Sequence, residues 1–166
     1  LVASVEEPRS GDSFDLGLDS EFVVVYVGRL VDEKGVRVLV EAATQVPGCG
    51  LVLMGPGPLE DELRAMSGTS AYAGRMRVLG LGSREAVWNL LEACDCVALL
   101  SQSSDGWSEQ FGYVLAEAMA MSRPLIGSTS GAIPQVIGPA GVCVAEGSVE
   151  QTAAAIRQFA ADPVLR

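Results

Sequence analysis

The sequence contains no histidine. A Ser-His-Asp triad, a histidine general base and histidine metal ligands are therefore excluded within this chain. Positive charge is scarce as well: 11 lysines and arginines face 21 acids, for a net charge of −10. Binding a phosphate polymer requires a basic face, so no nucleic acid is expected as a partner. Any smaller phosphate must be held by a few local groups. No apolar run approaches the roughly 20 residues that span a bilayer, and neither a basic amphipathic helix nor a secretory leader is evident. The four cysteines are Cys49, Cys94, Cys96 and Cys143. Their spacing matches no zinc framework, and Cys94-Asp95-Cys96 lacks the two-residue gap of a redox pair. They read as free thiols in a reducing compartment. Cys96 and Cys143 fall in apolar runs and are expected to be small buried hydrophobes. No G-x-G-x-x-G follows the first apolar run, which argues against a plain dinucleotide site. Low-complexity tracts and internal repeats are also lacking.

What is present is a core. Hydrophobic residues make up 49% of 166 positions, enough for one domain of ordinary size. Residues 1–21 are polar and acidic and read as a lead-in or interdomain linker, and a start at Leu1 reads as a fragment of something longer. From residue 22 onward strands and helices alternate. Strands are expected over 22–28, 51–54, 77–79, 96–100, 125–127 and 142–144. Helices are expected over 34–46, 59–66, 84–93, 111–121, 132–137 and 149–160. Val36, Leu39, Val40 and Ala43 show the helical spacing that defines a buried stripe. Six β-α units with short connections, whose strands are continuous apolar runs, predict an α/β fold. It is a Rossmann-like, doubly wound parallel sheet of about six strands. In such sheets ligands bind at the carboxyl ends of the strands, so the loops after each strand carry the chemistry.

Gly28 allows a tight exit from the first strand, and Arg29 and Lys34 place two cations in the loop that follows. An arginine binds two phosphate oxygens at once, whereas a lysine supplies a point charge. The bland alternative makes both of them solvated surface charges or pairs them with Asp32 and Glu33. Gly55-Pro56-Gly57-Pro58 after the second strand combines close backbone approach with a stiff turn. Glu60, Asp61 and Glu62 beyond it match a helix start better than a metal site. Gly80-Leu81-Gly82-Ser83 offers flexible backbone around one apolar side chain. Ser128-Thr129-Ser130-Gly131 offers a further phosphate or hydroxyl contact.

The richest segment runs from Glu109 to Glu117, with Phe111 and Gly112 between. Eight residues of helix span about 12 Å, near the length of a sugar nucleotide. Carboxylates bind vicinal hydroxyls through charge-assisted bonds, and a helix start between them suits a phosphate. The alternative makes Glu109 a helix-start acid and Glu117 a surface charge, with Phe111, Val114, Leu115 and Ala118 as the buried stripe.

Taken in order, these pieces resemble the C-terminal, donor-binding domain of family 4 (group 1) retaining glycosyltransferases of the GT-B fold. The resemblance rests on Gly28-Arg29-Leu30 with Lys34-Gly35, then Gly55-Pro56-Gly57-Pro58 with Leu63. It continues through Val78-Leu79-Gly80, Ala93-Cys94-Asp95-Cys96-Val97 and Glu109-x7-Glu117. Ser130-Gly131-Ala132-Ile133-Pro134 and Ala161-Asp162-Pro163 complete it. It implies that residues 22–166 form a nucleotide-sugar-binding domain whose N-terminal partner domain is absent. By the resemblance, Arg29 and Lys34 bind the donor diphosphate and Glu109 contacts the transferred sugar. Phe111 and Gly112 offer backbone to sugar and phosphate oxygens, Glu117 holds the ribose and Leu81 lies against the base. The implied activity is retaining hexosyl transfer with no cofactor and no metal. The acceptor, a sugar, lipid or other molecule, would be gripped by the absent domain. The implied location is cytoplasmic, peripheral to the membrane where the absent half attaches. Gln135 and Trp107 depart from the family pattern. Two further readings are half of a GT-B sugar-nucleotide epimerase and a non-catalytic binding domain.

Overall fold

The computed structural model describes residues 16–72 and 74–162. Most of the lead-in read over 1–21 lies outside the described residues, as do Pro163 and the rest of the chain to Arg166. Residues 16–21 pack on the domain: Leu16 joins the core and its carbonyl accepts from Arg77 Nη1 at 2.8 Å.

Six strands form one parallel sheet: β1 (Phe22–Val27), β2 (Cys49–Met54), β3 (Met76–Leu79), β4 (Cys96–Leu99), β5 (Leu125–Ser128) and β6 (Gly141–Val144). Their spatial order is β3-β2-β1-β4-β5-β6. The helices are α1 (Val36–Thr44), α2 (Glu60–Ser67), α3 (Arg84–Ala93), α4 (Tyr113–Ala120), α5 (Ile133–Ile137) and α6 (Val149–Ala161). This is the doubly wound architecture expected from the alternation. β1, β2, β4 and β5 are almost wholly buried, as β-branched and apolar runs covered on both faces must be. The edge strands differ. β3 alternates buried and half-buried residues, and Cys143 on β6 is exposed. The expected burial of Cys143 is therefore corrected: an apolar run reads as buried only where both faces are covered, and β6 closes the sheet. Cys96, on the central β4, is buried as expected.

The chain winds outward from β1 to β3, then returns to lay β4 on the other side of β1. β1 and β4 pair only at Val24↔Cys96 and Val25↔Val97, although both strands continue beyond those residues. They part toward their carboxyl ends, and the crevice of the strand-order reversal opens there.

Two helices start two residues later than the periodicity predicts. A single 3-10 turn, Asp32–Lys34, precedes α1, and Gly35 separates the two with φ 67°. A Cβ on Gly35 would fall 1.9 Å from the Leu100 carbonyl oxygen, so only glycine lets this loop pack on the end of β4. Lys34 is thereby turned off the helix and toward the crevice. α4 starts at Tyr113, with Gly112 as its left-handed N-cap. Only the second half of the Glu109–Glu117 span is helical.

Candidate functional site

At the exit of β1 the Arg29 backbone is fixed and its side chain is largely solvated. The Tyr26 hydroxyl donates to the Arg29 carbonyl at 2.6 Å. Burial pushes the Tyr26 phenol far above its ordinary pKa, so this donor keeps its proton. The Arg29 guanidinium is 69% exposed and stands 4.0 Å from Glu33. A pair that loose and solvated leaves the cation available for a stronger partner. Gly28 and Gly55 lie side by side at the ends of β1 and β2. A Cβ on Gly55 would sit 2.0 Å from the Gly28 carbonyl oxygen, so Gly55 already serves the packing of the two loops.

Lys34 behaves differently. Its Nζ donates to Glu109 Oε2 at 2.6 Å, across 75 residues of sequence, and lies 4.9 Å from the centre of the Trp107 ring. The buried Ser101 hydroxyl donates to the same carboxylate oxygen at 2.7 Å. Burial alone would raise the Glu109 pKa. The hydrogen bonds from Lys34 and Ser101, with the charge of Lys34, more than offset that, and the carboxyl is held below its usual value. The bland pairing of Lys34 with Asp32 or Glu33 is not observed: Asp32 pairs with Arg37.

The loops after β4, β5 and β6 hold Glu109 in place. Its carbonyl accepts from the Ala132 N–H at 2.9 Å. Ser128 Oγ donates to the Ser101 carbonyl, and the Gln102 N–H donates to the Glu33 carbonyl at 2.8 Å. Ser128 and Ser130 are fully buried, so this loop braces the site. Ser103 reaches Glu146 with both its N–H and its hydroxyl. Sequence reasoning missed Tyr26 and Glu146. Ser101 and Ser103 belong to the polar loop, 101–108, that the sequence places directly before the Glu109–Glu117 segment, a signal that the bland reading of that segment does not explain.

Phe111 and Tyr113 flank the Gly112 cap. Their rings lie 5.2 Å apart, 42% and 78% exposed. Phe111 is therefore outside the buried stripe, which consists of Val114, Leu115 and Ala118. Glu117 is half-buried one turn into α4, and Leu81 projects into solvent after β3. Among the described residues no hydrogen bond or ion pair joins Glu117 or Leu81 to the Lys34–Glu109 pair. Ser83 caps α3, accepting from the Ala86 N–H at 3.1 Å.

The acids at the start of α2 are largely committed: Glu60 pairs with Arg64 and Glu62 with Arg37. No group of three or more Cys, Asp or Glu is arranged around a metal among the described residues. No described helix is long and apolar enough to cross a membrane. Burial pushes the Cys49 and Cys94 thiols up to about 12, which leaves both unreactive at neutral pH. A cavity of about 470 Å³, lined by Met119, Arg123, Pro124, Gly141 and Phe159 among others, lies at the amino ends of β5 and β6. That is the opposite edge of the sheet from the crevice.

Residues 9–166 match the family described as glycosyl transferases group 1. The chain is 31% identical over 156 residues to the alpha-D-kanosaminyltransferase of Streptomyces kanamyceticus, covering 90% of this chain and 39% of that protein. It superposes on the crystal structure of Anabaena HepE in complex with UDP and glucose with a TM-score of 0.76 and 26% identity. That match covers 89% of this chain and 40% of the other. The fold also matches a C-terminal domain of a group 1 family protein from Francisella tularensis (TM-score 0.73, 23% identity), covering 89% of this chain and 80% of that one. This chain spans about two fifths of the length of the first curated relatives it matches. By its matched length and its fold, it belongs to the group 1 glycosyl transferase family.

Proposed function

We propose that this chain is the donor-binding half of an enzyme that transfers a sugar from a nucleoside diphosphate sugar. Transfer retains the anomeric configuration and requires no metal. The observation that carries this reading is the pairing of Lys34 and Glu109 at 2.6 Å in the β1/β4 crevice, beside the start of α4. Departure of a nucleoside diphosphate develops negative charge. Fixed cations and a helix N-terminus stabilise that charge without a divalent ion. In this reading Arg29 and Lys34 hold the diphosphate, with Lys34 bridging phosphate and Glu109. Glu109 accepts from hydroxyls of the transferred sugar. The Phe111 and Gly112 backbone meets sugar and phosphate oxygens. Glu117 accepts from the ribose hydroxyls, Leu81 covers the base, and Gly28 and Gly55 leave room for the phosphates.

Two relatives support the assignment: one is a sugar transferase by name, and HepE was crystallised with UDP and glucose. The acceptor, a sugar, lipid or other molecule, would be held by a second domain. Alone, this chain binds nucleotide without transferring sugar. The longer enzyme would work in the cytoplasm.

Calorimetric titration of the folded chain with UDP, GDP and ADP, in the presence of EDTA, tests the site. One diphosphate is expected to bind by millimolar concentration, and K34A to abolish the heat. Silence from all three at millimolar ligand sinks the reading. The anomeric configuration of the product, read by NMR on the longer enzyme, decides retention, and a free epimer in place of a glycoside would indicate an epimerase.

A further inference from the structure

We infer that Glu146 is a positioning residue for Glu109, closing a directed hydrogen-bond relay that begins at the Glu109 amide. The functional half of this inference rests on the donor-site reading. The relay itself does not.

Glu146 sits in the loop between β6 and α6, on a turn that is itself fixed. The Ser148 N–H donates to the Ala145 carbonyl at 3.1 Å, and Ser148 caps α6. From this turn the Glu146 carboxylate uses both oxygens on one residue. Oε2 accepts from the Ser103 N–H at 2.6 Å, and Oε1 accepts from the Ser103 hydroxyl at 2.9 Å. Ser103 Oγ also lies 3.0 Å from Ser130 Oγ, and Ser130 Oγ lies 3.4 Å from the Glu109 N–H.

The direction of these bonds follows from the donor count. A carboxylate only accepts, and a serine hydroxyl carries one proton. The Ser103 proton is committed to Glu146, so between Ser103 and Ser130 the donor is Ser130. The Ser130 oxygen is then left as an acceptor for the Glu109 N–H. The order is fixed: Glu109 N–H to Ser130, Ser130 to Ser103, Ser103 to Glu146. An apolar residue at 146 frees the Ser103 proton, and the order is no longer determined. The tie to Ser103 matters because the loop after it has little else. Ser104 and Trp107 exchange backbone hydrogen bonds with each other, and a Cβ on Gly106 would meet no atom of the described residues within 4 Å.

Amide hydrogen exchange, resolved by NMR on the whole chain, tests the relay without a ligand. In E146A the Ser103 and Glu109 amides are expected to exchange about tenfold faster, with β1 amides unchanged. E146Q, whose amide oxygen can accept the Ser103 N–H, is expected to fall between E146A and wild type. An unchanged Glu109 amide in E146A overturns the relay. So does a uniform acceleration that includes β1, because that is general destabilisation. The functional arm compares UDP-glucose with UDP, and GDP-mannose with GDP. In E146A the affinity gained from the sugar should fall about three- to tenfold, with the bare diphosphate unaffected. Equal losses for sugar nucleotide and diphosphate, or none, overturn the positioning role. If the wild-type chain binds no nucleotide, the donor-site reading and the functional half fail together, and the exchange result still decides the relay.

Discussion

Asp32 and Lys34, two residues apart in one short loop, belong to two ion-pair groups that differ in every respect that matters. Asp32 faces outward, where Arg37 bridges it to Glu62, with side chains 72%, 50% and 44% exposed. Lys34 faces inward to Glu109, with side chains 18% and 9% exposed. The outer group is solvated and joins neighbouring surface elements, an arrangement that contributes little to stability. The inner pair has given up most of its water, and hydrophobic residues of similar size would serve stability as well or better. A desolvated pair kept at the reversal point of an α/β sheet is better explained by function than by stability. Charge count alone does not separate the two groups; burial does.

The sharpest way to break this contrast is K34A. Removing the lysine leaves Glu109 buried without its cation, held by the Ser101 hydroxyl and the Gln110 N–H. The cost should be about 2 kcal/mol in urea denaturation, below the full range for a buried pair because Lys34 keeps some water. Nucleotide binding should be lost as well. A smaller effect is expected from E109Q, and it is best read against pH. The folded carboxyl of Glu109 lies below its free-chain value. Its contribution to stability is therefore present above that free-chain value and disappears as pH falls through the folded one. Denaturation between pH 6 and 3 should show this loss in wild type and a flatter profile in E109Q; identical profiles would contradict the inner pairing. The smallest effect belongs to R37A. It should move the urea midpoint far less than K34A does, less still in salt, and leave nucleotide affinity unchanged. A cost equal to that of K34A would erase the distinction between the groups.

How much of this could be read from the chain depends on how local each feature is. β1, β2 and β4 were legible because uninterrupted β-branched and apolar runs reflect burial on both faces. Cys143 misled for the same reason, since an edge strand can carry an apolar run with one face open. The late start of α1 escaped the periodicity because Gly35 answers to the Leu100 carbonyl, 65 residues away in the chain. Lys34 and Glu109 were each singled out, but their pairing depends on how β1 and β4 part. Glu146 left no trace: its partner is 43 residues distant, and a glutamate in a turn before a helix looks like any surface acid.

The strand order has a consequence for how this chain acquires its site. β1 and its loop come from the first quarter of the sequence, while β4 and Glu109 arrive only after two complete strand-helix units have been laid down on the far side. Closing a segment of that length is entropically slow, and the reward is collected only when β4 docks beside β1. No collapsed intermediate built from β1, β2 and β3 can bring Lys34 to Glu109. Formation of the pair thus reports the docking of β4 beside β1, and a kinetic probe at Trp107, whose ring lies against Lys34, would record that step rather than assembly of the β1-β2-β3 half.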